Sequence, residues 1–402
     1  MASKSKEISE GGSGEFDDGG SLLFIHEVDY LQKPIFEMHE FPEGLAERGW
    51  SVHFIDFVEQ RQEWRPRQFV NRVGNSPISL RSVPSIGHGI FRRLIAVLIA
   101  TFWLPVQIAR IRPTAVVLYA VPTFGWQTVI ACRLLRIPTI YRAIDMSSDI
   151  RETAFRRLVA WSESYVARRS TVVCSNTLAL GDHLEQYGAV GATQVFPGFD
   201  EQQLLPASNT GNKTILFMGT LFPFAGLEKF IHDASDRFRS QPEVIMRILG
   251  DGDAEVSIRE AITQHSLGAQ IELVGFVPYE QLFDEMKDAT VAIIPFELMP
   301  LTHVALPGKV PQYLRAGLPV VSTPLKGLQE LLPDDCGVRY REPGQRFVDE
   351  VWNLLDDPQS CSDLVKRGTE QLNSVATWST ALDRFEQVIT VAESRVRERS
   401  DA

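Results

Sequence analysis

The chain has 402 residues, 44% of them apolar and 23% charged, with a formal net charge of −11. That length suits two domains, each able to bury a core, and the composition marks a soluble globular protein rather than a low-complexity or fibrous one. Cys132, Cys174, Cys336 and Cys361 are scattered without disulfide or metal-ligand spacing, so buried thiols in a reducing cytoplasm are expected.

Charge is distributed unevenly. From Trp64 to Ile144 there is no Asp, Glu or Lys, yet these positions hold eleven arginines. The segment is therefore +11 and the remainder −22. Two origins stay open: pairing with acids from elsewhere in the fold, or a basic surface that meets an anionic membrane or pyrophosphate. Nucleic acid is not expected, because the arginines lack aromatic interleaving and no reader module is recognisable.

Residues 1–20 are rich in Ser, Gly and acids and show no export signal, so a disordered tail is expected. Leu22–Ile25 is a continuous apolar run, the pattern of a strand buried on both faces. His26, Glu27, Asp29 and Lys33 follow it where many nucleotide-binding folds have glycines. These groups read either as turn caps and surface charge or as groups acting on a substrate. A helix is expected from Pro34 towards Arg48 and a strand over Val52–Phe57.

Arg92 and Arg93 precede the run Leu94–Leu104, which includes Phe102 and Trp103. The run is shorter than a bilayer requires, and Pro105 is expected to interrupt it. It reads either as a helix in the domain interior or as an interfacial helix, with arginines at headgroup level and Phe102 and Trp103 in the acyl boundary. Strands are expected at Ala115–Tyr119 and Pro138–Tyr141. The second leads to Arg142 and then Asp145, the first acid after the long gap. Asp145 reads equally as a general base and as a helix cap. Thr171–Cys174 reads as a strand, Asn176–Gly188 as a helix, Val195–Asp200 as a closing strand and Glu201–Lys213 as a linker.

The alternation then restarts. Strands are expected at Thr214–Met218, Val244–Leu249, Ile271–Val274 and Val291–Pro295. The first three run into glycines: Gly219-Thr220, Gly250-Asp251 and Gly275-Phe276-Val277. Glycines there let a ligand approach the backbone, and the helix starts beyond them favour phosphate. Pro307–Pro324 reads as a short helix, a stop at Gly317 and a buried strand over Val320-Val321. Trp378 opens a final helix over Ser379–Val391.

The Pro307–Pro324 segment resembles the "P-x-K-x-x-E-Y-x-x-x-G-x-P-V-V" segment of GT-B glycosyltransferases of the family 4 type. Gly219–Gly226 is similar to their "G-T-L-x-P-x-x-G" loop, and Val195–Asp200 to their "hxxG[VF]D" strand. The resemblance covers roughly Leu22 to Val391 and implies an α/β chain of two Rossmann-like parallel-sheet domains facing a cleft. It implies an acceptor domain at 21–200, a linker at 201–213, a nucleotide-sugar donor domain at 214–375, and a last helix at 376–402 that crosses back.

By this resemblance the enzyme transfers a sugar from a UDP- or GDP-linked donor without a metal or other cofactor. Gly219, Thr220, His303 and Lys309 are the implied phosphate-side contacts, Gly250 and Asp251 are further donor-binding candidates, Phe276 and Val277 lie by the base, and Gln312 meets the ribose. Two departures stand out. Gln312 replaces the family's ribose glutamate, and Val304 stands where its partner glutamate belongs, leaving Glu297 as a substitute in the same loop. Thr220 and Ala225 occupy positions that are usually basic. Asp145, Glu27 and His26 are the catalytic candidates, and Arg92, Arg93, Phe102, Trp103 and Arg142 the acceptor or membrane candidates. The implied acceptor is a glycan or a glycolipid or polyprenyl-linked sugar in surface-polysaccharide assembly, met by a cytoplasmic enzyme peripheral on the cell membrane. A non-catalytic homologue that binds glycan or partners an active transferase is the alternative, and a nucleotide-sugar epimerase a more distant one.

Overall fold

The computed structural model describes residues 20–33, 35–58, 67–119, 123–146, 156–189, 191–199, 213–278 and 281–401. The chain divides into two compact units, one of residues 1–198 with 378–402 and the other of residues 199–377. The tail expected over 1–20, the linker over 201–213, Pro34 and Asp200 lie outside the described residues, save Gly20 and Lys213.

The first unit is built on β1 (Ser21–His26), whose Leu22, Leu23, Phe24 and Ile25 are fully buried. It pairs in parallel with β2 (Ser51–Asp56) and β5 (Ala115–Tyr119). The sheet continues through β6 (Thr139–Ala143), β7 (Val172–Ser175) and the two-residue β8 (Thr193–Gln194). On the other side lie β4 (Ile78–Ser82) and β3 (Gln68–Val70). Only the β3–β4 pair is antiparallel among the described strands. These two strands fall in the Arg-rich segment and were not expected, because a short edge strand with mixed polarity carries no clear period.

The expected strand over Val195–Asp200 does not form among its described residues. Phe199 instead makes an isolated bridge with Thr377. Helix α1 (Glu37–Glu47) starts later than expected. Helix α2 (Gly89–Ile111) has 23 residues and passes through Pro105, so the expected interruption is absent and the helix is long and apolar enough to cross a bilayer. Ala96, Ala100, Leu104 and Ile108 bury one face of it in the unit, and this packing offsets the backbone bond that Pro105 cannot donate. Helices α3 (Gly125–Leu135), α4 (Arg156–Arg169) and α5 (Leu178–Gln186) follow.

The second unit is a six-stranded parallel sheet in the order β11-β10-β9-β12-β13-β14. The strands are β9 (Lys213–Met218), β10 (Val244–Leu249), β11 (Ile271–Gly275), β12 (Val291–Ile294), β13 (Val320–Ser322) and β14 (Val338–Tyr340). Its helices are α6 (Leu227–Ser240), α7 (Glu255–Gln264), α8 (Leu282–Met286), α9 (Pro300–His303) and α10 (Lys309–Arg315). They continue as α11 (Lys326–Leu331), α12 (Gln345–Asp356) and α13 (Pro358–Val375).

The last helix, α14 (Trp378–Asp401), belongs to the first unit. Its Leu382, Phe385, Val388 and Ile389 join the core of that unit, with the Phe385 ring 4.8 Å from that of Phe41. Arg48 ties the helix down through Asp383 at 2.7 Å and Glu386 at 2.6 Å.

Candidate functional site

In the second unit the carboxyl ends of three neighbouring strands are laced together. The Gly219 amide donates to the Leu249 carbonyl at 2.8 Å, and the Gly250 amide to the Gly275 carbonyl at 2.7 Å. Gly219 has φ +132°, and a Cβ there would collide with Lys309 Nζ. Gly250 has φ +136°, and a Cβ there would meet the Gly219 carbonyl. Both positions therefore need glycine, and the missing side chains leave Lys309 beside a bare turn.

Lys309 opens α10. The residue as a whole is half-buried, but its ammonium end is enclosed, 4.4 Å from the Phe217 ring centroid and 5.3 Å from that of Phe296. Burial lowers its pKa to about 7, and among the described residues no ion pair offsets the lost hydration. Four residues on, the fully buried Tyr313 hydroxyl accepts the Met218 amide at 2.7 Å and fixes α10 against the residue that precedes Gly219. No local sequence signal marks this bond, whose partners lie 95 residues apart.

The remaining candidates of this unit surround the turn. Thr220 and Asp251 are exposed, and the Asp251 carbonyl accepts the Leu221 amide at 2.8 Å. Gln312 is half-buried on α10. Phe276, just beyond β11, is 72% exposed, with Val277 half-buried beside it. Glu297, in the β12–α9 loop, and His303, the last residue of α9, are both exposed, and the Thr302 hydroxyl donates to the Glu297 carbonyl. Glu297 also lines a pocket with Phe222, Leu227, Glu228, Asp253 and Ser257. Val304 is buried.

The first unit treats its candidates differently. Glu27 is buried and committed: Oε1 accepts the Thr123 and Phe124 amides at 2.6 and 2.8 Å, while Oε2 accepts Thr123 Oγ1 at 2.5 Å and Arg93 at 2.8 Å. It caps the approach to α3. His26 is buried against Tyr119, and burial, with the Lys33 charge adding to it, lowers its pKa to about 3. Its Nδ1 accepts the Glu27 amide at 3.0 Å, which leaves that nitrogen unavailable as a base. Asp145 is half-buried just past β6.

Of three arginines expected at an acceptor or membrane surface, Arg142 and Arg92 are buried and Arg93 is half-buried. Arg142 is fully buried, its Nε and Nη2 donating to the two Glu37 carboxylate oxygens at 3.1 and 2.9 Å and its Nη1 to the Val195 carbonyl at 2.8 Å. Arg92 is buried and donates to Ser85 Oγ at 3.0 Å. Arg93 pairs with Glu27 and lies 5.5 Å above the Phe57 ring. For Arg142 and Arg93 the pairing with acids from elsewhere in the fold holds, whereas the partner of Arg92 is a serine hydroxyl. Phe102 is 78% exposed and Trp103 half-buried.

Residues 212–357 match the family described as "Glycosyl transferases group 1", and residues 37–197 that described as "Glycosyl transferase 4-like domain". The chain is 22% identical over 156 residues to 2-deoxystreptamine N-acetyl-D-glucosaminyltransferase of Niallia circulans, which is 38% of this chain and 39% of that protein. Among solved structures it is similar to sucrose-phosphate synthase of Thermosynechococcus elongatus, with a TM-score of 0.72 at 13% identity over 92% of this chain and 98% of that one. It is also similar to Anabaena Alr3699/HepE in complex with UDP, with a TM-score of 0.68 at 15% identity over 92% and 99%. The two sheets and their glycine turns define the GT-B class of α/β proteins. Within it, this chain belongs to the group 1, family 4-like glycosyltransferases.

Proposed function

We propose that the protein transfers a hexose from a UDP-linked donor to a lipid-linked glycan acceptor, without a metal. The observation that carries this reading is the enclosed ammonium of Lys309 beside the bare Gly219 turn. A buried cation without a counter-charge is costly unless a ligand supplies one, and a diphosphate does so. The structural relative Alr3699/HepE has been solved with UDP and with UDP-glucose, which supports UDP as the nucleotide.

The diphosphate meets Lys309 and the Thr220 amide at the Gly219 turn, with His303 and Asp251 near its edge. The base lies against Phe276 and Val277, and the neutral Gln312 amide bonds ribose hydroxyls. The sugar enters the pocket where Glu297 and Asp253 accept from its hydroxyls. As the anomeric C–O bond to phosphate breaks and the acceptor oxygen bonds the same carbon, Lys309 stabilises the departing diphosphate. The acceptor proton passes to that diphosphate in a retaining reaction, or to Asp145 in an inverting one. Asp145 stands ahead of Glu27 and His26 because Glu27 is held by four donors and His26 is a weak base. The enzyme works at the cytoplasmic face of a membrane in surface-polysaccharide assembly, where the lipid-linked acceptor resides.

Titration calorimetry with UDP and GDP tests this. Micromolar UDP binding that Lys309→Ala weakens at least about tenfold is the expected result. No binding to either nucleotide by the folded protein overturns the donor assignment. It then favours the second reading, a non-catalytic partner of another transferase, for which the absence of glutamate at Gln312 and Val304 is the specific support.

A further inference from the structure

Helices α2, α3 and α4 lie side by side, each running back from the carboxyl edge of the sheet to lead into β5, β6 and β7. All three end at the amino edge of the sheet, and each ends in a pair of arginines: Arg110 and Arg112, Arg133 and Arg136, Arg168 and Arg169. All six are exposed, and among the described residues none forms an ion pair. Above this rim the outward faces are apolar. On α2 the ridge Leu94, Leu98, Phe102 and Val106 recurs every fourth residue, with Leu98 67% exposed. On α3, Ile130 and Leu134 continue it, Leu134 being 81% exposed, and Trp161 extends it onto α4.

We infer that this three-helix face docks on an anionic lipid bilayer, its apolar ridges entering the acyl boundary and its six arginines meeting the headgroups. The inference rests on the membrane part of the proposed function and not on the donor site. The arginine rim selects the occupant, because an apolar protein partner supplies no counter-charge for six guanidiniums that lack an ion pair among the described residues, whereas anionic headgroups do. A helix-dipole role explains an arginine in the last turn, but not the backbone at two of the six. Arg112 and Arg136 sit just past their helices at φ +49° and +57°, the left-handed region where glycine fits without strain. The charge is thus held where the backbone disfavours any side chain. Although α2 is long enough to span a bilayer, its buried Ala96–Ile108 face keeps it in the unit, so it lies flat rather than crossing.

The full chain is floated with vesicles of phosphatidylcholine alone and of phosphatidylcholine mixed with phosphatidylglycerol. Binding to the mixed vesicles only, reduced by added salt, is expected. Leu98→Glu with Phe102→Glu, and separately Arg112→Gly with Arg136→Gly, should each weaken it at least about tenfold. The glycine pair should do so with an unchanged or higher Tm, which separates docking from folding. Flotation failure by the wild type, equal binding to neutral vesicles, or variants that bind as the wild type each overturn the inference. So does a lipid-free dimer in sedimentation that Leu98→Glu with Phe102→Glu dissociates, which assigns the face to a second copy. UDP calorimetry on the same variants reports the donor site independently.

Discussion

Lys309 Nζ faces the ring of Phe217 at 4.4 Å from its centroid and forms no ion pair among the described residues. The ring attracts the cation weakly, about 1–2 kcal/mol at a desolvated site, which does not replace lost hydration. The lysine therefore loses its proton near pH 7 in the folded chain and near 10.5 when unfolded.

The sign of the resulting pH dependence follows. The unfolded chain binds the proton more tightly, so the stability tied to this group is complete above about pH 10.5. It is lost as pH falls through the window down to about 7 and stays lost below it. Lys309→Met should consequently gain on the wild type by roughly 2 kcal/mol between pH 9 and pH 6.5 in urea unfolding. Parallel curves for the two proteins would show that the ammonium is hydrated. UDP binding should run the other way, taking up a proton and weakening above pH 7. Calorimetry in two buffers of different ionisation heat measures that uptake.

Tyr313→Phe tests how the site is positioned. The substitution leaves the ring and removes the acceptor of the buried Met218 amide. An unpaired buried N–H costs about 1–3 kcal/mol, and the Gly219 turn next to it loses its anchor. The expected result is a stability loss in that range with weaker UDP binding. Lost stability with unchanged UDP affinity would make Tyr313 a packing residue alone.

The sequence made some of this legible and hid the rest for physical reasons. Ala115–Tyr119 and Val244–Leu249 are apolar or alternating runs bounded by turn residues, and they are β5 and β10 as read. The Gly219 and Gly250 turns were equally visible, because glycine after a strand is a local signal. Arg142 was not. Its partner Glu37 lies 105 residues away, so a segment with no acids of its own looked like an uncompensated surface. Lys309 was found by motif, but its enclosure by Phe217 and Phe296 depends on β9 and the loop after β12 coming together. Four arginines of the rim were legible as charge in the acid-free segment, but Arg168 and Arg169 lie beyond it, and the arrangement across three helix ends was not legible.

Gly219 and Lys309 form a pair that a double-mutant cycle can resolve. Gly219→Ala strains a backbone at φ +132° and drives a methyl into Lys309 Nζ. The single variant should be destabilised by roughly 1–2 kcal/mol and bind UDP more weakly. In a Lys309→Ala background the strain persists, but the further loss in UDP affinity should be small, because the displaced group is already gone. Additive losses in affinity would mean that the two residues contact the nucleotide separately.

The Glu37–Arg142 pair separates a structural role from a binding role. Neither residue reaches solvent appreciably, and Arg142 also satisfies the Val195 carbonyl. Glu37→Gln leaves a buried guanidinium without its counter-charge, so a loss of about 3–5 kcal/mol is expected. Glu37→Leu with Arg142→Met removes both charges and should recover much of that loss, since the desolvation cost goes with them. Urea unfolding of the three proteins provides the comparison. Were Arg142 an acceptor contact instead, Glu37→Gln would leave stability near wild type and turnover would fall with Arg142→Met alone.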